Sequence, residues 1–574
     1  MPLVKPLCLE ALPPEILLDV ATFVTCFQDR LHLCQSSSRI RSVLIGHEPL
    51  WYTLSLSPLA ESITDAVLSE IFRELSSAPP LQPKRLPVKI LDLSGCFKIS
   101  SLSLQYLERY LPSLRCLQLG VDPAEDDTWQ LPKGTRLQLR KIVLGRQRQG
   151  LYKDWRSSIT SPVFAKTGHD YGYRRRYAMG TLTSSALKST LVSCGRTLES
   201  LTLAGHCLAR SALQTIASHC ISLRYLDISG CEGQITQGDL QTLFEGIGPH
   251  LETLKMTNMS ELSDLTSLFL VQHCGKTLRV LHISGGKYAA VTFLTRAVSR
   301  LPRLEDLRIN QIVSGDVNGL VLALRDSGLF QQLTSLDLSP KLDIYPSNRH
   351  ASRSAASHTS PSTPSFASGM RMEHALAPCS DQALDMLCRF ERLTTLRLVN
   401  PAYITSAGVN NMLRHLPQLQ VLELRRWQDM QYSDGGLTTI SPDNLPDLRE
   451  CVLYSILIPP SIFADWTDFR HLKLVELWDA SNFDHHHLKG LLLSCPTLRQ
   501  LRIAKTSVIW DDFADILGVD GSTTSFTPSP DAPFPPASHL KHLKYDGEIV
   551  LSRLDGRRSD ANGNTLFDYW QGSL

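Results

Sequence analysis

The densest cluster of metal-binding side-chain types in this sequence is Asp484-His485-His486-His487. Imidazole and carboxylate are good zinc ligands, but neighbouring histidines on a helix point about 100° apart and do not converge on one ion. The run precedes Leu488, where a polar and exposed helix start is expected, so no metal is assigned. The fourteen cysteines include no CxxC pair. They read as small buried thiols in a reducing compartment, cytoplasm or nucleus, and not as ligands, nucleophiles or a disulfide framework. A P-loop, a GxGxxG after a strand, a GxSxG and an HExxH are all missing. The sequence therefore offers no catalytic residue, no cofactor site and no enzyme reading.

One stretch has residues that grip without reacting. Between Arg146 and Tyr177, the cations Arg146, Arg148, Lys153, Arg156, Lys166 and Arg174-Arg175-Arg176 alternate with Tyr152, Trp155, Phe164, Tyr171, Tyr173 and Tyr177. Such a mixture suits an acidic partner, a phosphopeptide or nucleic acid, and equally suits a loop packed on its own neighbour with solvated arginines. Whole-chain charge speaks against a dedicated nucleic-acid binder, because 58 basic residues face 56 acidic ones. The sequence has no run of about 18 apolar residues and no secretory signal, so no membrane partner is expected.

The elements that must position any contact residue come from a repeat. Apolar residues at spacing 0, 3 and 5 recur from Val88, Leu114, Leu139, Leu198, Leu223, Leu251, Leu278, Leu304, Leu333, Leu393, Leu419, Leu448, Leu472, Leu498 and Leu540. Leu198-Leu201-Leu203 and Leu223-Leu226-Ile228 are typical copies, and consecutive starts usually lie 24 to 29 residues apart. A short strand, a turn and a returning helix would place these leucines in a narrow core. One unit cannot bury its apolar face alone, so neighbours must stack. The predicted fold class is α/β, a curved leucine-rich-repeat solenoid of about fifteen strand-helix units behind a small all-α block. Thr236 followed by Asp239 and Leu240 suggests a helix cap, and the stretches 211–217 and 381–387 also read as helix.

Ser94-Gly95-Cys96 and Ser229-Gly230-Cys231 after their strands, with Cys194, Cys220, Cys274 and Cys495 ending helices, make the repeat resemble the cysteine-containing class of leucine-rich repeat. The expected organisation is a helical block over 9–54, a connector over 55–87, a solenoid over 88–545 and a tail or cap over 546–574. Insertions are expected near 146–180, 340–378 and 518–538. The second contains Ser360-Pro361 and Thr363-Pro364, candidate phosphorylation sites in a segment too polar to pack.

The first fifty residues do not follow the repeat. In LPPEILLDVATFV, from Leu12 to Val24, proline opens a helix and Ile16, Leu17, Val20, Phe23 and Val24 share one broad face. With Asp29-Arg30-Leu31-His32-Leu33, Arg39-Ile40-Arg41 and Glu48-Pro49-Leu50-Trp51, this block resembles an F-box. Arg30, Ser36 and Ile40 depart from the usual pattern. The order of block and repeats makes the chain similar to F-box and leucine-rich-repeat proteins. That resemblance implies that Leu12, Pro13, Ile16, Leu17, Leu31 and Leu33 contact a Skp adaptor. Through it the chain would join a cullin-RING ubiquitin ligase, as a non-catalytic substrate receptor.

Residues between the strand leucines would face a partner. On the third and fifth positions of the repeat this selects Tyr225, Asp227, Lys255, His282, Asp306, Arg308, Arg397 and Glu423 as candidate contacts for a protein substrate, with or without phosphorylation. Their mixed charge suits a protein surface better than a phosphate backbone. The alternatives are a leucine-rich-repeat scaffold outside any ligase, its first block only a cap, and a leucine-rich-repeat GTPase activator.

Overall fold

The structure is a computed structural model. It describes residues between 9 and 553, and the largest stretches outside the described residues are 146–180, 341–378, 505–539 and 554–574. Among the described residues, no helix is long and apolar enough to cross a membrane. Those up to Ser284 belong to one compact unit and those from Thr295 onward to another.

The first unit opens with three helices, α1 (Pro14–Phe23), α2 (Phe27–Ser36) and α3 (Ser38–Gly46). Proline at the start of α1 and Ser37 at the start of α3, whose side chain accepts from the Arg39 amide, begin these helices as their residue types favour. Leu17, Ala21, Cys34, Ile40, Leu44, Leu50 and Trp51 are the buried apolar side chains of this block. The Trp51 indole donates to the Leu44 carbonyl at 2.9 Å, so its polar edge is satisfied inside the core.

The repeat then follows as an α/β leucine-rich-repeat solenoid. In the first unit, strands Ile90–Leu93, Cys116–Gly120, Lys141–Gly145, Ser200–Thr202, Tyr225–Asp227, Thr253–Met256 and Val280–Ser284 pair in parallel and in sequence order. The register sets apolar on apolar: Leu117 with Ile142, Leu201 with Leu226, Leu226 with Leu254, and Leu254 with Leu281. The 146–180 insertion leaves this order intact, since Ile142 is partnered directly with Leu201. The second unit repeats the arrangement through strands Asp306–Ile312, Ser335–Pro340, Thr395–Val399, Val421–Arg425, Glu450–Tyr454, Leu474–Trp478 and Gln500–Ala504. Helices return between many of these strands, for instance Arg210–His219, Gln237–Ile247 and Asp264–Cys274. The strand leucines are buried, and each such side chain contributes on the order of 1.5–3 kcal/mol.

The helix starts are tied across repeats. Asp65, opening helix α4 (Asp65–Ser77), accepts from the Ser100 amide and hydroxyl, and Ser100 caps the following helix Ser101–Tyr110. Asp381 makes the same pair of bonds to Thr405, which caps Ser406–Arg414. Asn318 accepts from the Ser380 amide and Asn410 from Thr438 and Thr439. Thr236 and Asp239 form a reciprocal capping box, and Arg210 of the preceding repeat reaches Asp239 at 2.9 Å.

Two boundaries differ from the sequence expectation. The stretch read as a connector holds a strand-helix unit: Thr53–Ser55 pairs in parallel with Ile90–Leu93, and α4 returns behind it. Leu54, Leu56, Ile63, Leu68 and Phe72 are buried there. Trp51-Leu54-Leu56 has the spacing of the repeat, but its first member is the tryptophan that also closes the helical block, in place of the usual leucine. At the far end, the last copy is not a parallel repeat. Strand Glu548–Arg553 runs antiparallel to Gln500–Ala504 and also to Leu540–Tyr545, so the segment expected as a tail or cap supplies the strand that adjoins the solenoid. The hairpin covers the edge of Gln500–Ala504 and passes the edge position to Leu540–Tyr545.

Candidate functional site

Two surfaces carry the residues singled out in the sequence. The first is the outer side of α1. Leu17 and Ala21 face the core at 1% and 0% exposure, whereas Ile16, Val20 and Phe23 are 45%, 37% and 65% exposed. Positions 16, 20 and 23 are one helical stripe, so the helix is apolar on both sides and one of them is largely exposed. Pro13 is exposed, and Leu12 and Leu33 are half-buried. The Leu31 side chain lies outside the described residues. Leu17, expected as a contact, is a core residue because it stands one turn from Ala21 on the packed side. Val20 and Phe23 take its place at the surface. The spacing of Ile16 already pointed to them.

Arg30, the departure from the usual F-box residue, has a local job. Its Nε donates to the Val24 carbonyl at 2.5 Å and its Nη1 to the Leu50 carbonyl at 2.6 Å. It ties the end of α1 to the end of the block. Arg39 donates from Nη2 to the Leu12 carbonyl at 3.1 Å, fixing the chain that enters α1.

The second surface is the strand face. In the first unit it is half open. Tyr225, Asp227 and Lys255 are half-buried, and the Lys255 ammonium lies 5.4 Å from the Tyr225 ring centroid. Asp227 also accepts from the Ser229 amide at 2.9 Å, as Asp92 does from Ser94. Part of its function is therefore to fix the turn that follows the strand. Gly95 and Gly230 in those turns have φ of 80° and 65°, a region that glycine enters without strain. Cys231 after Gly230 donates its thiol to the Leu203 carbonyl of the repeat before it, at 3.0 Å. His282 is buried at 8%.

In the second unit Asp306 and Arg308 are half-buried, and the strand face closes from Asp337 onward. Asp337, Glu423, Arg425 and Glu476 are all between 1% and 2% exposed. They form a chain of charges across neighbouring strands. Arg397 lies 3.6 Å from Asp337 and 3.2 Å from Glu423, and Glu423 meets Arg425. The Arg425 guanidinium stacks on Tyr454 at 4.1 Å, and the Tyr454 hydroxyl lies 3.5 Å from Glu476. Asp306 and Arg308, at the near end, are paired with each other at 3.2 Å. Arg397 and Glu423, read as contacts for a partner, therefore serve each other first. The reason is their register: Asp337, Arg397 and Glu423 are direct partners on adjacent strands and so sit within salt-bridge reach, and a protein interior holds charges only when paired. Arg425 and Tyr454, at the seventh position of their repeats, escaped a scan limited to the third and fifth.

The cysteines are packing residues. Burial pushes the Cys194, Cys220, Cys274 and Cys451 thiols up to about 12. His487 lies beside the buried Phe483 ring at 6.0 Å, while His485 and His486 are outside the described residues, as is the basic-aromatic stretch 146–177.

No protein-family model matches the chain. It is similar to the Caenorhabditis elegans protein EEED8.10, whose name marks it as a candidate RNA-binding protein, with 36% identity over 109 residues. That match covers 18% of this chain and 14% of the relative. Among solved structures, a chain of the yeast Rad7 and Elc1 complex is similar with a TM-score of 0.42 and 13% identity, covering 85% of this chain and 96% of that one. A leucine-rich-repeat protein of Leptospira interrogans is similar at 0.32 and 14%, covering 71% and 88%.

Proposed function

We propose that this chain is the substrate-recognition subunit of an SCF-type ubiquitin ligase. In this reading the first block docks on a Skp adaptor, a cullin joins through that adaptor, and the solenoid holds a protein substrate near the charged conjugating enzyme. The chain itself does no chemistry. Its contribution is proximity, which raises the effective concentration of a substrate lysine at the thioester. The cytoplasm or nucleus is the matching compartment.

The observation that carries the reading is the apolar stripe Ile16, Val20 and Phe23 on a helix whose opposite side is already packed. An exposed apolar stripe of this kind marks an interaction surface. The placement of the block supports it too. Tyr52, at its end, accepts from the Lys89 and Ile90 amides, so the block leads directly into the strand Thr53–Ser55 at the start of the repeat stack. That end position is what a scaffold outside any ligase would require as well. Binding separates the two readings. Purified full-length protein should bind a Skp adaptor at sub-micromolar concentration, and an Ile16→Asp, Phe23→Asp variant should not. A folded wild-type chain that fails to bind at tens of micromolar would leave only the scaffold.

A further inference from the structure

One residue stands immediately before each of the seven parallel strands from Ile90–Leu93 to Val280–Ser284: Lys89, Arg115, Arg140, Glu199, Arg224, Glu252 and Arg279. They form a continuous column, because the amide of each donates to the carbonyl of the one before it at 2.7–2.8 Å. Neighbouring strands are about 4.8 Å apart, so the column repeats at that interval. Lys89, Arg115, Arg140, Arg224 and Arg279 are exposed, and Lys141 adds a sixth exposed cation beside Arg140. Against these stand only Glu199 and Glu252. The side chains run along the column. Lys89 lies 3.5 Å from the Tyr52 ring centroid, Arg115 donates to Gln138 at 2.8 Å, Arg140 lies 3.4 Å from Glu199, and Arg224 donates to Glu252 at 2.9 Å.

The backbone does not require this charge. In the second unit the same position is Glu305, Thr334, Thr394, Gln420, Arg449 and Lys473, linked by the same amide-to-carbonyl bonds. Threonine and glutamine satisfy the geometry there. With a formal net charge of only +2 for the whole chain, an excess of four cations on one edge is a local concentration. It is steepest at Lys89, Arg115, Arg140 and Lys141, where Arg140 alone is shared with a carboxylate of the column, that of Glu199.

From this column we infer that the strand-start edge of the first unit binds an acidic polypeptide segment, with carboxylates over Lys89, Arg115, Arg140 and Lys141. Glu199 and Glu252 then select against continuous phosphate, which would place an anion over each of them. The aromatic ring of the column is also covered, since Tyr52 lies under Lys89, whereas single-stranded nucleic acid needs free rings on which bases stack. The surface is separate from the α1 stripe and does not depend on ligase assembly.

Fluorescence anisotropy of a labelled oligoglutamate peptide with the full-length protein tests this. Binding should weaken as salt screens the edge, and Lys89→Glu, Arg115→Glu, Arg140→Glu should cost at least about tenfold in affinity. Arg449→Glu, Lys473→Glu, the same kind of reversal at the same position in the second unit, should leave it unchanged. If the triple reversal loses its circular-dichroism signal, Lys89→Gln, Arg115→Gln, Arg140→Gln decides, with a smaller loss in the same direction. The inference is overturned if the wild type does not bind at low salt, or if both variants lose equally. It is also overturned if a labelled oligouridylate binds more tightly than the peptide and loses the same affinity in the triple variant.

Discussion

Arg397 Nε stands 3.2 Å from Glu423 Oε2 on the adjacent strand, with the two side chains 12% and 2% exposed. Arg425 and Asp337 extend the pair on either side. Truncating one member leaves its partners charged and shielded, which costs more than the pair contributes. Glu423→Ala should therefore destabilise the second unit by about 3–5 kcal/mol in chemical denaturation. Replacing the pair together, Arg397→Met with Glu423→Leu, should cost markedly less. Equal losses would mean that the two charges do not depend on each other.

Ile16 and Leu17 are neighbours in sequence with opposite fates. Leu17→Ala should destabilise the first block by about 2–5 kcal/mol, because it empties a filled core position. Ile16→Ala should shift stability by less than about 0.5 kcal/mol. Thermal unfolding of the two variants checks the split, and similar shifts would place both residues on one face.

Asp65 and Asp239 should make the fold acid-sensitive. Burial raises the Asp65 carboxyl, but the Ser100 and Ser103 hydroxyls and the Ser100 amide outweigh it and leave the group below its ordinary 3.8. For Asp239 burial again raises, and Thr236 with Arg210 lowers by more, also to below 3.8. A depressed carboxyl stabilises fully above its unfolded value and loses that stabilisation as pH falls through the folded value. Stability measured from neutral pH down should thus hold until about pH 4 and fall below it. Asp65→Asn should lower the neutral plateau and flatten that fall. An unchanged slope in the variant would remove Asp65 as a source.

Gly246 and Gly238 lie on one helix and should respond in opposite directions to alanine. A Cβ at Gly246 would stand 2.5 Å from the Ala217 carbonyl oxygen, whereas at Gly238 the nearest atom is 3.9 Å away. Gly246→Ala should cost about 1–3 kcal/mol by forcing the two helices apart. Gly238→Ala should be neutral or stabilise by up to about 1 kcal/mol. Denaturation midpoints of the two single variants decide it.

Local chemistry was enough to read the repeat from the sequence. Leucine at spacing 0, 3 and 5 has one economical burial, and the strands begin two residues after the copy starts, from Ile90 after Val88 to Gln500 after Leu498. Glycine and serine before Cys96 and Cys231 mark their turns, and Thr236 its helix, because those interactions lie within a few residues. The terminal hairpin also had a local sign in Asp546-Gly547, a pair favoured in tight hairpin turns.

What only the tertiary structure decided is which outward positions remain outside. Tyr225 and Lys255 are half open, while Glu423 and Arg425, on the same side of equivalent strands, are closed into an ion chain. The same division separates Ile16 from Leu17 on α1. Periodicity assigns a residue to a face, but burial depends on what stacks against that face, and those neighbours come from repeats tens of residues away. The basic column from Lys89 to Arg279 is of this kind too: seven single residues, scattered through the sequence, become one surface only when the strands stand side by side.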